Sequence, residues 1–70
     1  MYRNLQAELK RADITETEMC ELLGLSRVTF VQRMNKTGKW TLSEMIFIKD
    51  TINKKLGTNY TLDYLFKEWS

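Results

Sequence analysis

A chain of 70 residues has the length of one small domain, which buries only about 60% of the surface its unfolded chain exposes, leaving room for a core but hardly for an enclosed catalytic cleft as well. Hydrophobic residues make up 43% and charged residues 29%, a balance that excludes disorder, and no apolar run approaches the ~20 residues of a membrane span. One cysteine and no histidine exclude an internal disulfide and the common zinc sets, and with a charged N-terminus that has no signal-peptide pattern they point to the reducing cytoplasm.

The net charge is only +2, but it is unevenly placed. Between Leu22 and Ser43 there is no Asp or Glu, while Arg27, Arg33, Lys36 and Lys39 all fall there. That segment is +4 and the rest of the chain is −2. A basic segment on a mildly acidic protein can set one face on phosphates; on charge alone, a simple solvated face is the favoured reading of four basic residues.

Taken in chain order, the periodicity predicts five helices and no strand. The first, over 2–12, carries Tyr2, Leu5, Leu9 and Ala12 at helical spacing, a stripe for the core. The next four begin at Thr15, Ser26, Thr41 and Thr61, all good N-caps. Each cap lies between an apolar residue and a second one four places on: Ile14 with Met19, Leu25 with Phe30, Trp40 with Met45, Tyr60 with Leu65. This is the spacing of a hydrophobic staple, which fixes the angle at which the chain enters a helix. Thr15 with Glu18 and Thr41 with Glu44 add capping boxes. Gly24 and Gly57 mark helix ends, and Lys36 to Lys39 reads as a polar turn. The predicted helices are 2–12, 16–23, 27–35, 42–56 and 62–68. On the fourth, Leu42, Met45, Ile48, Ile52 and Leu56 form the core stripe, and Phe47 sits off it.

The most informative stretch runs from Thr15 to Asn35: two short helices joined by a tight turn at Gly24, the second polar and basic on one side and apolar on the other. That is the build of a helix-turn-helix, in which one helix crosses the DNA backbone and the next lies in the major groove.

These residues resemble the DNA-binding domain of lambdoid phage repressors, Cro proteins and their bacterial relatives. The family pattern of a small residue, three residues, Gly, an apolar residue, Ser or Thr, and a buried apolar residue six places after the Gly appears as Cys20, Gly24, Leu25, Ser26 and Phe30. The family tail appears as Thr41-Leu42-Ser43-Glu44 and Leu62-Asp63-Tyr64-Leu65-Phe66. The likeness runs from about Asn4 to Phe66. It implies an all-α, five-helix domain of lambda-repressor type over residues 1–70, with a central helix-turn-helix. It also implies a phage or prophage transcriptional regulator acting by operator occupancy. Three positions depart from the pattern. Glu16 stands where many members carry Gln and would repel a phosphate unless it turns away. Cys20 replaces the usual Ala. The link from Asn53 to Tyr60 is long.

With Phe30 and Met34 turned inward, the 100° helical step points Val28, Thr29 and Gln32 outward, flanked by Arg27 and Arg33. Gln pairs bidentately with adenine, Arg with guanine, and Val packs on a thymine methyl. Arg27, Val28, Thr29 and Gln32 are therefore the expected base readers. Ser26, Arg33, Asn35, Lys36 and Lys39 are the expected phosphate contacts. Outside a helix-turn-helix, Thr29 and Gln32 would read as ordinary solvent-facing residues.

Cys20 reads as a packed residue, because no His exists to activate it. Glu16, Glu18 and Glu21 read as helix-start and solvating carboxylates, and the isolated glycines form no phosphate cradle. The chain is accordingly expected to be no enzyme and to need no cofactor, metal, membrane or small-molecule substrate. Its expected partner is a double-stranded DNA operator. A weak homodimer through Phe47 and Trp69 weighs equally with packing of those rings inside the molecule. The rival reading from another class is a protein-interaction module, an antitoxin or small adaptor built on the same helices.

Overall fold

The structure, a computed structural model, describes residues 1–35 and 38–69. Its elements are α1 (Arg3–Arg11), α2 (Glu16–Leu23), α3 (Arg27–Met34), α4 (Leu42–Leu56) and α5 (Leu62–Leu65), with no strand among the described residues. The protein is all-α. No described helix is long and apolar enough to cross a membrane.

Local chemistry sets the helix starts. The hydroxyls of Thr15, Ser26, Thr41 and Thr61 accept from the backbone N–H three residues on, at Glu18, Thr29, Glu44 and Tyr64. Glu18 and Glu44 return a bond to the cap backbone, completing both capping boxes. Those bonds, first from the Thr15 backbone and then from its hydroxyl, hold the Glu18 carboxyl below its ordinary value. Gly24 closes α2 and Gly57 closes α4, both in the left-handed region.

The core gathers Leu5, Leu9 and Ala12 from the α1 segment, Ile14 before α2, and Met19 and Cys20 within it. Phe30 and Met34 of α3, Trp40, Ile48 and Ile52 of α4, and Leu65 of α5 complete it. All four stapled pairs fall in or against this cluster. An edge-to-face chain of rings crosses it, Phe30–Trp40 at 5.7 Å, Trp40–Phe66 at 5.8 Å and Phe66–Tyr2 at 5.9 Å. Burial pushes the Cys20 thiol up, so it stays protonated at neutral pH.

The structure departs from the sequence expectations at several places. α5 ends at Leu65, not 68, because Phe66 turns into the ring chain and the backbone beyond it has another partner. Trp69 N–H donates to Met1 O at 2.9 Å, and the Met1 amine donates to Trp69 O at 3.1 Å. α1 ends through a non-glycine left-handed residue, Asp13 (φ 58°). Its N–H donates to Lys10 O and that of Ile14 to Leu9 O, the bonding pattern of a Schellman end. Leu42, expected in the core stripe, is 60% exposed at the start of α4. Glu8 lies in that core at 1% exposed. Its Oε2 accepts from the Tyr64 hydroxyl at 2.8 Å, and Oε1 lies 3.2 Å from Arg11 Nε in an ion pair. The long link after α4 is closed by one side chain: Asn53 Nδ2 donates to Tyr60 O, and Oδ1 accepts from Thr58 Oγ1 and Tyr60 N–H.

Candidate nucleic-acid interface

α2 and α3 pack together across the three-residue turn Gly24-Leu25-Ser26. Gly24 (φ +69°) has nothing within 4 Å of where a Cβ would sit, so glycine is favoured there by backbone conformation and not by crowding. Leu25 N–H donates to Cys20 O at 3.0 Å, which folds the turn back on α2. Met19 and Cys20 from one helix and Phe30 and Met34 from the next are buried. Anchoring α3 by Phe30 and Met34 leaves its opposite side outward, as the helical step requires.

On that outward side Val28 is 67% exposed, and Gln32 and Asn35 are exposed. Val31 was not expected there, yet it is exposed beside them. Its spacing of three from Val28 was the available signal, since 28, 31, 32 and 35 share one helical face. Thr29 is half-buried, and its hydroxyl accepts from Ser26 Oγ at 2.9 Å while Ser26 Oγ accepts from Thr29 N–H at 3.1 Å. The two hydroxyls thus serve each other and the helix start. Helix geometry leaves the N–H groups of Arg27 and Val28 without an intrahelical acceptor.

The two arginines of α3 are both engaged. Arg27 at its N-terminus reaches the start of α2, with NH2 3.3 Å from Glu16 Oε1 and NH1 donating to Thr17 Oγ1 at 3.0 Å. Arg33 near its C-terminus bonds Glu44 Oε1, the carboxylate oxygen that also accepts from Thr41 N–H at 2.9 Å. The Arg33 guanidinium carbon lies 5.8 Å from the Trp40 ring centroid. Sequence reasoning placed Arg33 on phosphates and missed this partnership. Glu44 was visible only as a capping residue, and nothing in the local pattern marks an arginine eleven positions before it.

Lys39 is exposed after the turn, Gly38 N–H donates to Gln32 O at 3.2 Å, and Lys36 lies outside the described residues. Phe47 is 41% exposed on α4. The ring of Trp69 lies against two cations, with Lys67 Nζ 4.4 Å and the Arg3 guanidinium 5.8 Å from its centroid. No ring contact joins Phe47 to Trp69 among the described residues.

Two shallow depressions lie elsewhere: about 670 Å³ between α1 and the start of α2, and about 620 Å³ between α4 and the segment entering α5. Neither contains a residue of α3. Among the described residues no group of three His, Cys, Asp or Glu side chains could hold a metal ion. Compared with known proteins, the chain matches no family model, no curated protein and no solved structure.

Proposed function

We propose that this protein is a sequence-specific double-stranded DNA-binding regulator of the lambda-repressor and Cro type. In this reading α2, the Gly24 turn and α3 form a helix-turn-helix, with α3 in the major groove. The observation that carries it is the outward face of α3: Val28, Val31, Gln32 and Asn35 on one side of a helix whose other side is fixed in the core. Two apolar side chains suit thymine methyls, and the amide of Gln32 beside them suits the hydrogen-bonding edge of adenine. The N–H groups at the start of α3 and the ammonium of Lys39 suit phosphates, and Lys36 adds a second cation in the same segment. Regulation follows from occupancy of the operator.

Affinity then favours two copies on a two-fold site. Successive major grooves lie roughly 34 Å apart. The molecule measures 30 × 27 × 20 Å between Cα extremes, so copies at that spacing touch only along an edge. That geometry gives a weak dimer stabilised on DNA, with the exposed Phe47 as its candidate contact. The alternative of a protein-interaction module draws on a different observation, the exposed Leu42, Ile46 and Phe47 of α4.

In-vitro selection from random duplexes tests the proposal. An enriched motif, lost when Val28 and Gln32 are both changed to Ala, is the expected result. Failure to enrich any motif rejects DNA reading and leaves the α4 surface as the working site.

A further inference from the structure

We infer that Glu16 is an affinity-setting residue that competes with the DNA backbone for Arg27 and so weakens binding to duplex DNA of any sequence. The inference rests on the proposed DNA-binding function. Its basis is the contrast between the two arginine pairs of α3. Arg33 and Glu44 have side chains only 18% and 17% exposed, and Glu44 is fixed further by Thr41. That pair is built to persist. Arg27 and Glu16 have side chains 58% and 41% exposed, joined by one contact at 3.3 Å, with one further bond from Arg27 to the Thr17 hydroxyl at 3.0 Å. An exposed pair of this kind adds little to stability. A phosphate offers the guanidinium a two-bond, charge-assisted alternative, so the exchange is open to Arg27 and closed to Arg33.

The exchange has a counterion consequence. A cation that meets DNA unpaired releases a condensed counterion from the phosphates. Arg27 does not arrive unpaired: when it turns to a phosphate it leaves the Glu16 carboxylate behind, and the attraction between those two charges, itself screened by salt, is lost. Because salt weakens that pair as well as the contact with phosphate, the pair offsets part of the salt dependence that Arg27 would otherwise contribute. Every duplex, whatever its sequence, has to displace Glu16. Glu16 therefore lowers affinity for duplexes of every sequence by the same factor, and the base contacts of α3 alone set the ratio between specific and non-specific binding.

The test uses the intact chain and a fluorescent duplex of random sequence, about 30 base pairs long, titrated between 50 mM and 200 mM salt. Glu16→Gln should bind this duplex more tightly than wild type, with a log–log salt slope steeper by up to about 0.9. Across that salt range its affinity should fall by up to about 3.5-fold more than that of the wild type. In an Arg27→Ala background the same substitution should leave the slope unchanged, because the competed cation is gone. Melting curves confirm that all four proteins are folded. Equal slopes for wild type and Glu16→Gln would overturn the inference while leaving DNA binding intact. A steeper slope that persists without Arg27 would also overturn it, since Glu16 would then act on phosphates directly. A wild type that binds neither this duplex nor any selected one rejects the DNA-binding function itself, and the inference with it.

Discussion

Arg33→Ala separates the two roles open to that residue, phosphate contact and internal brace. The guanidinium bonds Glu44 with both side chains under one-fifth exposed, and it lies 5.8 Å from the Trp40 centroid. Exposed ion pairs contribute about 0–1 kcal/mol, and breaking a fully buried one costs about 3–5 kcal/mol. A pair at this depth falls between, near 2 kcal/mol. The stacking of the cation on the indole adds about 0.5–1 kcal/mol. The expected loss is therefore about 2–3 kcal/mol, or roughly 10–20 °C in Tm for a domain of this size. Thermal unfolding followed by circular dichroism measures it.

Glu44→Gln makes the comparison sharper. Its amide oxygen can still accept from Thr41 N–H, so the cap survives and only the ion pair is lost. The double variant Arg33→Ala with Glu44→Gln should then be less destabilised than the sum of the two, since each removes the same pair. Below its melting transition, Arg33→Ala should keep the wild-type salt slope on duplex DNA. A Tm within a few degrees of wild type, together with a slope reduced by about 0.9, would refute the assignment and return Arg33 to the phosphates.

Three further outcomes follow from named contacts. Phe30 is fully buried against Trp40, so Phe30→Ala should cost about 3–5 kcal/mol in denaturant unfolding, much of the stability of a 70-residue domain. Gln32→Ala should leave Tm near wild type and relax preference at one base pair of a selected motif by about 1–3 kcal/mol, read from competition binding. Hydrogen bonding to the Glu8 carboxylate raises the Tyr60 and Tyr64 hydroxyls above their ordinary value of 10.0. Their contribution to stability should thus be fully present below about pH 10 and lost as pH rises through the raised values. Ultraviolet titration should show two late tyrosines, and Glu8→Gln should bring both earlier.

The helix starts and two of the helix ends were legible because their causes are local. A hydroxyl that caps its own helix, a carboxylate three residues on and an apolar staple are fixed within six positions of chain. Four such signals placed the starts of α2 to α5 where they occur. Gly24 and Gly57 were legible for the same reason. The end of α1 was not, because Asp13 takes the left-handed conformation that glycine would have announced. The end of α5 depends on the pairing of Trp69 with Met1, sixty-eight residues apart, and no local pattern records that. Leu42 was misplaced because its spacing fits the stripe, but at the first turn of α4 little of the molecule lies over it.

The candidate site divides along the same line, and the division bears on how such a surface works. Which residues of α3 face outward follows from period and from the burial of Phe30 and Met34, so Val28 and Gln32 could be named from sequence. What the arginines do could not, because a guanidinium reaches any carboxylate within its length. Arg27 finds Glu16 and Arg33 finds Glu44, each eleven positions away. Eleven residues is three helical turns on paper. Here it is the separation across one interhelical corner, behind α3 in one case and ahead of it in the other. The two carboxylates thus sit at opposite ends of the same helix. One fixes its exit into α4 through a mostly buried pair; the other covers its entry with a pair that water, and in the proposed function a phosphate, can open. A basic segment counted from the sequence as +4 therefore presents less charge to solvent than its composition implies. On that surface, discrimination has to come from the apolar and amide groups of α3 more than from its cations.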